Sequence, residues 1–476
     1  MTLARVVLFI AALAFLPQAG IAWADGVTLP DFERVELPSG TVLLLSEKPD
    51  VPLVAATVIL RGGAVVDPDG RNGLANLLAL LLEQGAGDRD AAQFAEAVDA
   101  SGGTLTSRAD LESITISGSF LARDADLMVT LLADMLLQPK LEEAEFEKLR
   151  ERSINFIRAA KDTNLNALLP IYGQAFLFGA HPYGNPVRGS ETSLAAISHD
   201  DVLNFYEQQL GGDRLVIAVT GDFDSVAMIA KLAAAFGHWR PAATSLPDVS
   251  TMLGPQTGRR VLLVDKPGAT QTYFWIGNVG VSRDHLPLRD RAALDIANTV
   301  FGGRFTSMLN TALRVESGLT SGAASQLSMA AKSGSIAVVS FTPTESTLEA
   351  IDMALDVLAR LHATGVDEKM LASARNYILG QFPTMLETAA QLGRQLAELE
   401  AFGLDVSSVN DYGPALIAAD STTVARVIEV FPVPDDLVFV LLGDAAVIRE
   451  LVGEYGPVSE MSITEPRFRL PDGGDE

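Results

Sequence analysis

The chain of 476 residues has no cysteine and only five histidines. Without cysteine it can form neither disulfides nor thiolate metal sites, so its stability must come from a buried core. No two histidines stand close enough in sequence to share one face of a helix, which is how helical zinc sites present them. The five histidines are His181, His199, His238, His285 and His362.

Positive charge is also scarce, since 35 basic residues stand against 60 acidic ones and the formal net charge is −25. Binding to nucleic acid or to anionic lipid needs clustered lysine and arginine, so this balance argues against both partners. Acidity of this size usually keeps a protein in solution, and it favours a neutral or basic partner. The 48% of hydrophobic residues supplies enough apolar material for two large domains.

Residues 1–24 have the pattern of a secretory signal peptide. Arg5 gives a basic start, residues 6–16 form an apolar run, and Ala22 and Ala24 offer small residues at the cleavage positions. The apolar run is shorter than the ~18 residues needed to span a bilayer, and no later run reaches that length. We therefore expect a periplasmic or secreted protein without a membrane span; the alternative is an uncleaved anchor.

The remaining chain looks like two copies of one plan. Each half opens with two strand-like segments, continues through a helix, and closes with an apolar strand that ends in Gly-Asp. The two Gly-Asp pairs end at Asp222 and Asp444, and 444 − 222 = 222, so a repeat of about 220 residues is expected. The matching segments are residues 41–45, 53–61, 73–83 and 215–224 in the first half, and residues 261–264, 272–277, 289–300 and 437–446 in the second.

Composition places the domain boundaries. Residues 240–258 are rich in Pro, Gly, Ser and Thr without apolar periodicity, which is typical of a linker. This divides the chain into an N-terminal domain at residues 25–239 and a C-terminal domain at residues 259–466. Residues 467–476 are expected to form an acidic tail.

Hydrophobic periodicity predicts the fold class. Residues 141–158 and 346–363 place apolar side chains at helical spacing, whereas residues 113–120 and 335–341 are short runs typical of strands. Helices that alternate with such strands predict an α+β protein, with helices packed on mainly antiparallel sheets.

Four segments together resemble a known family. Residues 73–80 read GLANLLAL, and residues 181–224 open with HPYG and end in a Gly-Asp turn. Residues 302–323 contain GGRFTSML and LRVESGLTSGA, and residues 377–403 resemble a helix that carries LET before a Gly-Leu pair. In this order and spacing they resemble the pitrilysin/insulinase family of zinc metallopeptidases, which includes processing-peptidase-like proteins. The resemblance implies two homologous domains that form a half-clamshell, which a second chain closes around unfolded peptide.

The family's zinc motif is degenerate in this chain. An H-x-x-E-H motif supplies two zinc ligands and the base that activates water. Asn76, Ala79 and Leu80 stand at those three positions, and the third ligand, a glutamate about eighty residues later in the family, would fall at Asn155 or Phe156. None of these five side chains replaces what the motif requires. The resemblance therefore implies no cofactor in this chain and zinc in a partner, and residues 74–82 also fit a plain core helix.

Two residues of the second half match a substrate-contacting pair in the family. The family has an arginine and, seven residues later, a tyrosine that reach the substrate carbonyl near the zinc. Arg314 matches the arginine, while Ser321 stands at the tyrosine position with a shorter side chain. The alternative for Arg314 is an ion pair on the helix surface with Glu316 or a neighbouring acid.

We expect a non-catalytic subunit that completes the peptide chamber of a zinc-bearing homologue, in a heterodimer or a larger assembly. One alternative is a stand-alone subunit for peptide binding or assembly, which holds extended peptide at a sheet edge without cleavage. A second alternative is an active metallopeptidase with unrecognised ligands. The sequence has no G-x-S-x-G elbow and no Gly-rich phosphate loop that would indicate another enzyme class.

Overall fold

The computed structural model describes residues 27–249, 256–283 and 286–470. The predicted signal peptide lies outside these residues, as do His285, residues 250–255 of the predicted linker and the last six residues of the predicted tail. No helix in the described part of the chain combines the length and the apolar character needed to cross a bilayer.

The first half is built on a six-stranded sheet in the order β1-β2-β8-β3-β7-β6. All neighbouring strands in it are antiparallel except β2 and β8. A separate small ladder joins β4 and β5. The strands are β1 (Glu33–Glu36), β2 (Val42–Glu47), β3 (Leu53–Arg61), β4 (Gly85–Ala86), β5 (Arg89–Asp90), β6 (Thr104–Ala109), β7 (Ser113–Leu121) and β8 (Leu215–Gly221).

Eight α-helices accompany these strands in the described first half. They are α1 (Leu74–Leu82), α2 (Ala91–Ala100), α3 (Ala125–Leu137), α4 (Glu143–Thr163), α5 (Leu165–Phe178), α6 (Glu191–Ala196), α7 (His199–Gln209) and α8 (Ser225–Phe236).

The second half repeats this sheet, in the order β11-β12-β10-β13-β9-β14. Its five strands β9-β13-β10-β12-β11 correspond in order to β2-β8-β3-β7-β6, and β9 and β13 are parallel just as β2 and β8 are. The repeat expected from the two Gly-Asp pairs is thus visible in the strand order. The strands are β9 (Arg260–Asp265), β10 (Gln271–Val279), β11 (Ala323–Met329), β12 (Gly334–Pro343), β13 (Val438–Gly443) and β14 (Val458–Ser462).

The helices of the second half complete a mixed α+β fold, which confirms the predicted class. They are α9 (Leu288–Phe301), α10 (Met308–Asn310), α11 (Thr347–Thr364), α12 (Glu368–Gln381), α13 (Ala389–Ala401), α14 (Ser407–Asn410), α15 (Tyr412–Ala418), α16 (Ser421–Ile428) and α17 (Ala445–Val452).

One sequence interpretation was wrong. Residues 377–403, taken as a single helix, are the end of α12, a 3₁₀ turn at Phe382–Leu386 and α13. Pro383 lies in the turn. Proline lacks the N–H that continues an α-helix, and its ring collides with the preceding turn. Thr388 then caps α13 by accepting the N–H of Gln391.

The two halves exchange equivalent helices. Helix α5 of the first half packs on strands β10 and β13 of the second sheet, and α13 of the second half packs on β3 and β8 of the first sheet. A glycine allows each close approach. A Cβ atom at Gly173 would lie 2.8 Å from the Trp275 ring, and one at Gly393 would lie 3.0 Å from Thr220 Oγ1. The repeat relates these glycines, since 393 − 173 = 220.

The C-terminal segment also returns to the first half. Thr192 N–H donates to the carbonyl of Pro466 at 3.1 Å, and the Phe468 ring packs edge-on against Tyr172 at 5.0 Å between centroids. Phe468 is buried. The packed part of the chain therefore extends past the predicted boundary at residue 466 into the segment assigned to the tail.

Helix α1 has a defined start. Gly73 precedes it with φ of +97°, a value that favours glycine. The Asp67 carboxylate accepts the N–H groups of Gly73 and Ala75, each at 2.8 Å. These N–H groups have no partner within the helix, so Asp67 acts as its cap. Burial of the Asp67 carboxyl raises its pKa to about 7, although the N–H bonds act to lower it.

The first prediction tests the exchanged helix. Gly173→Ala should lower the free energy of unfolding by about 1–3 kcal/mol, because the new Cβ overpacks against the buried Trp275 ring. Gly380→Ala is the matched control, since Gly380 is also helical but has no atom within 4 Å of its Cβ position. That variant should be neutral or gain up to about 1 kcal/mol. Urea denaturation compares the two; equal stabilities would contradict tight packing at Gly173.

The second prediction concerns pH. The folded-state pKa of Asp67 lies above its ordinary value of 3.8, so its contribution to stability is full below about pH 4 and is lost as pH rises through about 7. The difference in melting temperature between the native chain and Asp67→Asn should therefore shift against the native chain from pH 5 to pH 8. Thermal unfolding at several pH values measures it, with the exposed Asp69→Asn as control. A constant difference would show that the Asp67 pKa is not raised.

Candidate functional site

The degenerate motif lies on α1, and α1 is part of the core. Ala79 is completely buried, Asn76 is 9% exposed, and Leu80 is half-buried. The other leucines of the helix are at most 1% exposed; they are Leu74, Leu77, Leu78, Leu81 and Leu82. The helix expected from the motif is therefore present, and it packs as the core helix that the sequence also allowed.

The side chains at the motif positions do not fit zinc. Catalytic zinc needs three protein ligands that donate nitrogen, sulfur or carboxylate oxygen, with a fourth position open for water. Alanine and leucine donate nothing, and the neutral amide of Asn76 lacks the charge of a carboxylate. Ala79 stands where the base would be and has no group that can accept a proton. In the described residues, no group of three or more His, Asp or Glu side chains is placed to hold a metal.

The position of the third ligand lies on α4, which packs against α1. Asn155 and Phe156 are both exposed there, and Phe156 has 56% of its surface accessible. The Arg188 guanidinium lies over the Phe156 ring at 5.6 Å from its centroid. A cation on an aromatic face thus occupies the region where the family places a carboxylate ligand.

Three of the histidines within the described residues form hydrogen bonds to the backbone. His181 Nδ1 accepts the N–H of Tyr183 at 3.1 Å, which orders the HPYG turn. His199 Nε2 lies 2.5 Å from the Leu141 carbonyl oxygen, and His362 Nε2 lies 3.1 Å from that of Pro432. The contacts of His199 and His362 each hold a loop to a helix.

Arg314 lies in a π-helical turn, Thr311–Glu316, that follows α10. Its guanidinium rests over the Phe305 ring at 4.7 Å from the centroid, and Phe305 is 63% exposed. Within the part of the chain described, Arg314 forms no ion pair with Glu316 or with any other acid. Single π-turns often occur at functional sites, because they displace side chains from the helical register.

Ser321 is exposed and follows the π-turn by a short loop. The neighbouring Thr320 is buried, and its Oγ donates to the Gly322 carbonyl oxygen at 3.0 Å. The loop is therefore ordered by Thr320, while the Ser321 hydroxyl faces outward.

Glu83, immediately after α1, contacts the edge strand β6. Its carboxylate accepts the backbone N–H of Ser107. Burial raises the pKa of the Glu83 carboxyl, while the Ser107 bond and Arg152 act to lower it. Since β6 has a neighbouring strand on only one side, Glu83 covers part of a sheet edge that an added strand would otherwise extend.

Sequence reasoning missed Asp67, Arg188 and Phe305. The Asp67 cap lies six residues before Gly73 and leaves no short capping pattern in the sequence. Arg188 stands out only through its contact with Phe156, which is distant in sequence. Phe305 stands out only through its contact with Arg314, across a turn. For Phe305 the one available clue was its place within the GGRF segment.

Comparison with known proteins gives two adjacent matches to family models. The model described as insulinase (peptidase family M16) matches residues 42–191, and the model described as peptidase M16 inactive domain matches residues 196–378. The first match contains the degenerate motif, and the second contains Arg314 and Ser321.

Curated relatives align over most of the chain. An uncharacterized zinc protease of Mycobacterium leprae is 28% identical over 369 residues, which cover 76% of this chain and 81% of that protein. The non-peptidase homolog YmxG of Helicobacter pylori is 21% identical over 371 residues, which cover 77% of this chain and 82% of that protein.

Solved structures share the fold. The peptidase M16 inactive domain from Pseudomonas fluorescens has a TM-score of 0.79 at 20% identity, covering 87% of this chain and 98% of that one. The periplasmic protease PqqL from Escherichia coli has a TM-score of 0.73 at 14% identity, covering 88% of this chain and 46% of that one. Together with the matched models, the shared fold shows that the chain belongs to the insulinase family, peptidase family M16.

Proposed function

We propose that this chain is the non-catalytic subunit of an exported heteromeric zinc peptidase, and that it binds unfolded peptide together with a zinc-bearing homologue. The observation that carries the proposal is the state of α1. The helix is intact, capped and buried, yet each motif position holds a residue that cannot perform the zinc chemistry. In this proposal the chain keeps the family's fold without the residues for zinc chemistry. This is expected of a subunit that contributes to the active site of a partner.

The size of the chain supports a chamber made from two chains. Almost all of this chain aligns with PqqL, but it covers only 46% of that protein. A single PqqL chain is therefore about twice as long as the part that this chain matches. A second chain like this one, with an intact motif, would supply the other half and the zinc.

Arg314 is the residue of this chain that we assign to the partner's substrate. It is exposed, it is supported by the Phe305 ring, and it has no ion pair with Glu316 among the described residues. A guanidinium in this state can donate hydrogen bonds to a carbonyl oxygen as negative charge develops on it. Ser321 offers a weaker contact, because its hydroxyl reaches less far than a phenol.

Export is proposed from the N-terminal pattern, with its basic start at Arg5 and its alanines near residue 24. A periplasmic or secreted location follows from it. The word periplasmic in the name of PqqL is in keeping with that location.

A second candidate function is stand-alone peptide binding at a sheet edge. Strand β6 forms one edge of the first sheet and lies beside α1. An extended peptide could pair with such an edge. However, the Ser107 N–H already donates to Glu83, so a peptide would have to displace that carboxylate at this point. This contact favours the partner model.

The third prediction concerns metal. The purified chain should contain far less than one zinc per molecule and should not cleave unfolded peptides by itself, because no motif residue can ligate the ion. The rebuilt variant Asn76→His, Leu80→His, Phe156→Glu should bind close to one zinc, since α1 and α4 already pack together. Elemental analysis after gel filtration measures both. Stoichiometric, chelator-sensitive zinc in the native chain would overturn the non-catalytic assignment.

The fourth prediction concerns Arg314 in the assembled complex. Co-expression with a zinc-bearing homologue from the same genome should give a complex on size exclusion that cleaves unfolded peptide. Arg314→Ala should leave assembly intact and reduce kcat/KM by about 10²-fold or more, the range for loss of one oxyanion donor. Ser321→Tyr should raise the turnover if its phenol reaches the same oxygen.

The control for Arg314 is Arg289→Ala, because Arg289 is an exposed arginine that pairs with Asp420 on the surface. Its complex should retain full activity. Rates are compared at equal concentrations of complex, so that weakened association is not mistaken for lost chemistry. Failure to associate with any zinc-bearing homologue would contradict the partner model, and unchanged turnover in Arg314→Ala would remove Arg314 from the reaction.

A further inference from the structure

A cavity of about 500 Å³ lies between the two halves. Helix α13, the turn between β6 and β7 and the end of β11 contribute to its walls. We call it the seam cavity; the lining residues used below are Arg108, Glu112, Arg283, Met385, Glu398 and Phe402. Its volume falls within the range of roughly 300–1,000 Å³ found for small-molecule sites.

Glu398 brings a carboxylate to the seam cavity from α13. The side chain is half-buried, and among the described residues it forms no hydrogen bond or ion pair. Burial raises the pKa of the Glu398 carboxyl, and four nearby charges modify it; those of Arg394, Arg108 and Arg283 lower it, and that of Asp110 raises it. Arg108, Asp110 and Arg283 all line the cavity. The carboxylate therefore lies on the cavity side of α13.

The other two carboxylates that line the cavity are already paired. Asp110 accepts the Nε–H of Arg108 at 3.1 Å. Glu112 accepts an N–H of Arg283 at 3.0 Å and the hydroxyl of Tyr183 at 2.7 Å. These bonds occupy both arginines, so neither is left over to neutralise Glu398.

A third arginine on the wall, Arg291, also lies near an acid. Burial raises the pKa of the Asp295 carboxyl on the same helix, and the charge of Arg291 acts to lower it. Each arginine in the described lining thus has an acid beside it. Glu398 is the carboxylate of that lining that has no cation bound to it.

The fold does not require an acid at position 398. The repeat relates Glu398 to Phe178, since 398 − 178 = 220, and Phe178 is buried at the corresponding end of α5. A carboxylate that is partly removed from water without a partner costs free energy, whereas an apolar side chain does not. A cation that binds Glu398 explains the acid better than packing does.

Apolar side chains stand beside this carboxylate. Phe402 directly follows α13, and the Arg283 guanidinium lies over its ring at 4.1 Å from the centroid. Met385 lines the same cavity with 54% of its surface accessible. A thioether side chain adapts its shape to different alkyl groups, so these residues suit the stem of an aliphatic cation.

We propose that the seam cavity binds a primary ammonium group carried on an alkyl stem. The ammonium donates a charge-assisted hydrogen bond to the Glu398 carboxylate, and the stem lies along Met385 and Phe402. At about 30 Å³ for each water-sized group, the cavity holds on the order of fifteen such groups, which is more than a short alkylamine needs. The net charge of −25 also attracts cations to the chain before contact.

Two sources share this chemistry: a free alkylamine and the lysine side chain of a peptide. Neither requires a partner subunit, so the proposal does not rest on the heteromeric peptidase and can be tested on the isolated chain. A peptide would place its lysine in the cavity and leave its backbone outside.

The fifth prediction is tested by NMR titration of the full chain with pentylamine and with acetyl-Ala-Lys-Ala-amide. At least one should bind saturably with a dissociation constant on the order of 1 mM or tighter, ordinary for ligands of this size. The neutral analogues are 1-pentanol and the same peptide with norleucine in place of lysine. Each should bind about ten-fold more weakly or worse, because it keeps the stem but lacks the ammonium.

The two ligands distinguish the sources. Binding of pentylamine alone identifies a small-molecule site, and binding of the peptide identifies a site for lysine side chains. The absence of saturable binding by both ligands, or equal binding of the neutral analogues, overturns the proposal.

Variants assign the contact to Glu398. Glu398→Gln should weaken the cationic ligand about ten-fold or more, whereas Glu96→Gln, at an exposed helical acid outside the cavity, should leave it unchanged. Attraction to the acidic surface in general would weaken equally in both variants. Glu398→Gln should not lower the melting temperature of the free protein, since its carboxylate forms no bond within the described chain. Unchanged affinity in Glu398→Gln would show that the site is not at this carboxylate and would overturn the proposal.

Discussion

The exchange of helices between the two halves is the constraint on which the rest of the structure depends. Helix α5 covers a face of the second sheet, and α13 covers a face of the first, so neither half encloses its own core. Leu392 and Leu396 of α13 pack in one cluster with Val42 and Ile59 of the first sheet. Since these contacts are close-packed, the relative placement of the halves is set by side-chain packing rather than by the linker composition.

The fold of α1 does not depend on zinc ligands at the motif positions. The α1 leucines and the Asp67 cap hold the helix in place whether or not metal donors stand beside them. Burying a charged or strongly polar group costs free energy unless it is paired. Ala79 and Leu80 carry no such cost, so the helix packs without needing a metal beside it.

The sequence predicted the elements well and their arrangement less well. Strands such as β3 and helices such as α1 were found within one or two residues of their bounds, because hydrophobic periodicity reports which residues are buried. Periodicity does not report which elements these buried residues pack against. The amphipathic pattern of α5 would allow this helix to pack on either sheet. The exchange of helices between the two halves could therefore not be predicted from the sequence. The contact of Arg188 with Phe156 joins positions 32 residues apart (188 − 156 = 32), and no local pattern marks it.

Arg188 and Arg314 share one physical arrangement. Each is an exposed arginine held over an exposed phenylalanine, and neither forms a salt bridge within the described residues. In a chain with 60 acidic residues, a carboxylate partner for either would have been easy to supply. An aromatic face orients the guanidinium without consuming its N–H donors, whereas an ion pair would consume them. Both arginines therefore keep their N–H donors free for an oxygen from outside the chain, which at Arg314 is the proposed substrate carbonyl.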